Sequence, residues 1–200
     1  GSALIPAVKL DRVAFFVSGN ARRLYRLAYT GDTNDSSSTD VTRLVPNALK
    51  EQVHAVAVQR QPDARVYMVL EDGTVVVMTY EEDDKVVAVT TLETQNGDIK
   101  DVCVLPGSDQ DEVYFQVVRA GVRTREMLAN ERDQESVSTC TLLDGYEVLT
   151  GSISSITGAT RFAGQTVQVW ADGRRRSDVT ISGGGTASLG ATYARVVYGL

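Results

Sequence analysis

A single histidine, His54, and two cysteines, Cys103 and Cys140, are the side chains of this 200-residue sequence best suited to nucleophilic or metal chemistry. A Ser-His-Asp or Cys-His arrangement has to recruit His54. That residue alternates with Val53 and Ala55, as expected of a sheet face, and no serine sits in a Gly-x-Ser-x-Gly turn. One histidine and two distant cysteines are too few ligands for zinc. Cys103 stands between Val102 and Val104 in an apolar run and is expected to be a buried small hydrophobe.

Carboxylates are denser. Glu81, Glu82, Asp83 and Asp84 are consecutive, and a glycosidase needs a carboxyl pair. Tuning their pKa requires burial, whereas four acids in a turn are expected to be solvated. The polar segment 31–40, from Gly31 to Asp40, faintly resembles a calcium loop. It lacks the glycine and the terminal acid that such a loop uses, and reads as a solvated loop. Gly183, Gly184 and Gly185 follow a strand with no helix after them, so no phosphate cradle is available. Arg174, Arg175 and Arg176 follow Asp172-Gly173 and read as a solvated turn. Tyr67, Tyr80, Tyr114, Phe115 and Trp170 fall within strands and are expected to pack. We therefore assign no catalytic, cofactor-binding or metal-binding residue from the sequence, and expect no enzyme.

The elements that position these residues are strands. Valine accounts for 29 residues, most in short runs broken by Gly, Asp, Asn or Pro, and β-branched residues suit pleated sheets. The pattern predicts strands over 13–17, 23–29, 53–59, 66–70, 74–80, 86–91, 99–105, 112–119, 123–128, 166–170, 178–182 and 194–198. A short helical turn is predicted over 45–52, with Pro46 suited to its start. Asp72-Gly73 and Asp172-Gly173 signal tight two-residue hairpin turns.

The chain also repeats. Val53 to Val58 aligns with Ile99 to Val104 at an offset of 46 residues, and Arg65 to Leu70 aligns with Glu112 to Val117 at 47. Val75 onward aligns with Val122 onward, again at 47, and 13–17 with 23–29 form a weaker upstream copy. A unit of this length with three or four strands has the spacing of a β-propeller blade. The expected organisation is all-β, with propeller-like antiparallel repeats over 1–135 (units near 1–50, 51–97 and 98–135). A small β-barrel or β-sandwich module follows over 136–200.

With 20 basic and 26 acidic residues the net charge is −6, which disfavours a dedicated nucleic-acid binder. No apolar stretch reaches the length of a membrane span, and no signal peptide is visible. Gly1-Ser2 looks like a tag-removal scar and the chain stops in a strand-like run, so an excised piece of a longer polypeptide is expected.

Asp40-Val41-Thr42-Arg43-Leu44, then Gln59-Arg60-Gln61-Pro62, then Val66 through Gly73, resemble in this order a pattern of bacteriophage tail and tail-stabilisation proteins. The likeness runs on through Leu105-Pro106-Gly107, Asp111 to Tyr114, Arg125 to Leu128, Leu142 to Gly145, Gly158 to Phe162, Gly164 to Gly173 and Val196 to Leu200. Tyr67, Ala159 and Arg161 depart from it, standing where the family often has Trp, Leu and His. The resemblance implies a podovirus-like structural protein of the virion tail, found in the bacterial cytoplasm during assembly. It implies self-association into a ring, contact with other tail proteins, and passage of genomic DNA without sequence-specific binding. An acidic lumen wall would let that DNA pass with little adhesion. The alternatives are a non-catalytic propeller-type interaction scaffold and, behind it, a glycan-binding or glycan-cleaving tail module.

Overall fold

A computed structural model of the chain describes residues 5–30, 35–131, 136, 139–141 and 143–200. The protein is all-β, and it divides into two units, Gly1–Leu128 and Ala129–Leu200.

The first unit contains three antiparallel meanders. Sheet I runs in the order β1 (Val8–Leu10), β2 (Val13–Val17), β3 (Leu24–Thr30), β4 (Asp35–Asp40). Sheet II follows as β5 (Val53–Gln59), β6 (Arg65–Leu70), β7 (Val75–Glu81), β8 (Val86–Leu92). Sheet III has β9 (Asp98–Leu105), β10 (Glu112–Arg119) and β11 (Val122–Met127).

Sheet II explains the valine runs. Strand residues alternate between faces, yet β7 buries Val75, Val76, Val77 and Met78 in succession, because both its faces are covered. Val66, Met68, Leu70, Val76, Met78 and Tyr80 share one core with Leu10, Val13, Phe15 and Leu24 of sheet I. Tyr67, Val69, Val75 and Val77 share another with Ile99, Val102, Val113, Phe115 and Val117 of sheet III. Each such side chain contributes about 1.5–3 kcal/mol on burial. Each sheet thus has an upstream face, turned to the sheet before it, and a downstream face, turned to the next.

The repeat extends to the irregularities. Both β5–β6 and β9–β10 contain a bulge, one leaving out His54 and the other Lys100, the 46-residue equivalents. The alignment of Val75 with Val122 needs correcting. Val76 pairs with Met68, and Glu126 pairs with Phe115, the counterpart of Met68. The true offset there is 50, and the odd difference of three exchanges the two faces of β11. The cause is the turn. Ala120 and Gly121 both have positive φ, so the β10–β11 loop has two residues. The β6–β7 loop has three.

Asp72-Gly73 is therefore not a two-residue turn. Leu70 pairs with Thr74 around Glu71, Asp72 and Gly73, and only Gly73 has positive φ. The Asp72 carboxylate accepts from the Thr74 N–H at 3.0 Å, which favours this wider form. Asp172-Gly173 is the two-residue turn expected, with φ of 51° and 71°.

Other expectations also change. Residues 45–52 form successive turns and no helix. The polar segment read as a loop contributes β4 from Asp35 onward, while 31–34 lie outside the described residues. In the second unit β12 (Glu147–Ile156) and β16 (Ala187–Gly199) form a long hairpin-like pair. Beside β16 lies β13 (Thr166–Ala171), which pairs in turn with β14 (Arg174–Arg175) and β15 (Val179–Thr180). The strand order β12-β16-β13-β14 does not close, so neither unit is a closed barrel or propeller among the described residues. Val167, Val169, Ala171, Val196, Tyr198 and Phe162 of the short 3-10 turn Thr160–Phe162 form the core of this unit.

Candidate functional site

His54 lies at the β5 bulge, where its Nε2–H donates to the Lys100 carbonyl at 2.6 Å. The bond joins sheet II to sheet III, and the ring is committed to main chain. Cys103 is exposed, against expectation. A residue between two inward valines on a strand points the other way, and Val102 and Val104 are the pair that face sheet II. Cys140 is half-buried. Among the described residues, no three His, Cys, Asp or Glu side chains gather as a metal site.

Glu82, Asp83 and Asp84 are exposed in the β7–β8 turn, with Glu82 paired to Arg26 at 3.2 Å. The arginine triplet is divided. Arg174 and Arg175 form β14, Arg175 pairs with Asp178 at 2.8 Å, and Arg176 lies over the Tyr193 ring at 4.9 Å. Gly185 turns at φ +74°, and its carbonyl accepts from the Ala159 N–H at 2.9 Å. Gly185 is thus packed into the turn, whereas Gly183 and Gly184 are exposed. Tyr67, Tyr80 and Phe115 are core residues, whereas Trp170 is half-buried and Tyr114 sits on the outward face of sheet III.

Two arrangements escape sequence reading. Arg119 is buried and bidentate to Glu126, at 3.0 and 2.9 Å, on the upstream face of sheet III. It also donates to Thr94 at 2.5 Å and to the Gln95 carbonyl, which ties down the link between sheets II and III. Asp111 accepts from the Arg60 and Gln61 N–H groups at 2.7 and 3.2 Å, while Arg60 reaches the Lys9 carbonyl at 3.0 Å. One short segment therefore touches all three sheets. In the second unit Tyr198 donates to Glu147, which pairs with Arg161 at 2.8 Å. Burial, and then the Glu147 bond, raise the Tyr198 phenol above its ordinary range.

Among the described residues of the first unit, the sheet faces with no neighbouring sheet of that unit are the two ends of the repeat. The upstream face of sheet I carries Phe16 stacked on Tyr25 at 5.4 Å, with Leu27 39% and Tyr29 64% exposed. Register places Ala14 and Leu27 opposite one another on it. The corresponding faces of sheets II and III are buried against a preceding sheet. The downstream face of sheet III presents Asp101, Cys103, Tyr114, Gln116 and Arg125 around an open depression of about 380 Å³. Arg125 lies 5.8 Å from the Tyr114 ring centroid. Where sheet II has the buried Val69 and the half-buried Ala55, sheet III has Gln116 and Asp101.

No family model matches the chain, and comparison with curated proteins gives no match.

Proposed function

We propose that this chain is a non-catalytic structural component of a bacteriophage or prophage tail, a ring-forming tail or head–tail stabilising protein. Its three meanders serve as consecutive propeller-like blades. The tail assignment is supported by the ordered sequence resemblance. The self-assembly is supported by one structural observation, the aromatic upstream face of sheet I.

That face is chemically the acceptor that sheets II and III each use to receive a preceding sheet. An arginine-bearing downstream face such as that of sheet III complements it, since guanidinium groups stack favourably on tyrosine and phenylalanine rings. Faces that differ from each other give head-to-tail contacts, which close into rings when the rotation permits. The acidic net charge fits a component past which DNA moves without adhering.

Light scattering of the purified chain with negative-stain imaging tests this reading. Ring-shaped particles of uniform size are the expected result. A chain that stays monomeric or dimeric at every concentration contradicts it.

A further inference from the structure

The outer edges of the sheets in the first unit differ in a way the repeat does not require. β4 ends sheet I with Asp-Ser-Ser-Ser-Thr-Asp, and β11 ends sheet III with Arg123, Arg125 and Glu126 in its six residues. Polar and charged residues of this kind keep an edge from pairing with another chain. β8 ends sheet II and pairs only with β7 among the described residues. Its sequence, Val-Val-Ala-Val-Thr-Thr-Leu, has no charge, no proline and no glycine. Five of its seven residues are exposed, and its register with β7 has no bulge. Such a strand offers a straight row of main-chain donors and acceptors.

Beside that edge lies a groove of about 470 Å³, with Val41, Leu44, Tyr80, Val87 and Val89 as its apolar lining and Arg26, Asp40 and Arg43 at its border. Leu44 is 91% exposed and Val87 48%. The register places Val87, Val89 and Thr91 on the face that looks into this groove. A strand added to β8 would send alternate side chains beneath Leu44.

We propose that β8 pairs antiparallel with β8 of a second copy, giving a two-fold dimer with a sheet continuous across both molecules. The sequence is self-complementary in this register. Centred on Val89, it sets Val86 against Leu92, Val87 against Thr91, and Ala88 against Thr90. No like charges meet, and β-branched pairs of this kind stabilise antiparallel ladders. The two-fold axis turns both grooves to the same side of the sheet, so Leu44 of each copy covers the partner's strand.

Opposed residues in an antiparallel pair bring their Cα atoms within about 4.5–5.5 Å, within reach of a disulfide. The test is therefore Val89→Cys in the full chain, with Cys103→Ser and Cys140→Ala removing the native thiols. Mild oxidation is expected to give a covalent dimer as the main species on a non-reducing gel. Adding Ala88→Lys, an exposed change that puts a charge on each copy one residue from the axis, is expected to slow that trapping at least tenfold while leaving the melting temperature and circular dichroism unchanged. No covalent dimer from folded Val89→Cys protein would overturn the proposal. So would trapping at the same rate with Ala88→Lys present. Neither result bears on ring formation through the sheet faces.

Discussion

His54 Nε2–H donates to the main-chain carbonyl of Lys100 at 2.6 Å, and the two residues hold the same bulge position in successive repeats. A bulge leaves one residue out of the ladder and unpairs its main chain. Here the side chain at one bulge satisfies the carbonyl at the next. The lone histidine therefore registers sheet II against sheet III.

His54→Ala removes this bond and leaves the Lys100 carbonyl without its donor. A loss of about 1 kcal/mol in unfolding free energy is expected, with His54→Gln recovering part of it. Urea unfolding followed by circular dichroism checks both.

Glu126 and Arg119 form a pair with side-chain exposures of only 16% and 8%. Removing one partner leaves a buried charge, so Glu126→Ala is expected to cost about 3 kcal/mol. The double variant Arg119→Met/Glu126→Leu is expected to be more stable than Glu126→Ala alone. Urea midpoints of the three proteins decide this.

The second unit has an alkaline weakness. The folded Tyr198 phenol titrates above its ordinary value near 10, first through burial and then through its bond to Glu147. Folding therefore favours the protonated form. The resulting stability is fully present below the unfolded pKa and is lost as pH rises from about 10 towards the folded value. Thermal melts between pH 8 and 11 should fall for the wild type, and less steeply for Tyr198→Phe.

The glycine run separates conformational need from mere flexibility. Gly185 has φ +74°, and a Cβ there would lie 2.7 Å from the Thr160 nitrogen. Gly183 has no neighbour within 4 Å and no positive φ. Gly185→Ala is expected to destabilise by about 2 kcal/mol or more, whereas Gly183→Ala is expected to change little. Melting temperatures of the two variants give the comparison.

How much of this was legible follows from what carries an apolar signal. The strands of sheet II and most of sheet III were plain, because valine runs of this length need a sheet with buried faces. β4 was hidden, since Asp-Ser-Ser-Ser-Thr-Asp has no apolar side chain to mark a strand. β12 was hidden likewise by its Gly and Ser residues, with bulges between Thr150 and Ser155. The errors at Cys103 and Val122 were errors of face. An apolar neighbourhood in sequence does not say which side of a strand is covered, and a loop one residue shorter reverses the answer. The exposed aromatic face of sheet I was invisible for a related reason. Phe16, Tyr25, Leu27 and Tyr29 lie within two strand-like runs, and only the pairing shows that sheet II covers the other side.

The proposed assembly uses the end faces of the repeat. Leu27→Asp/Tyr29→Asp changes two exposed residues of one face and touches neither buried core nor β8. Light scattering of this variant beside the wild type tests the claim most directly. A large uniform oligomer for the wild type, and no species beyond a dimer for the variant, is the expected result. An unchanged oligomer in the variant, or a wild type that never exceeds a dimer, would contradict the account.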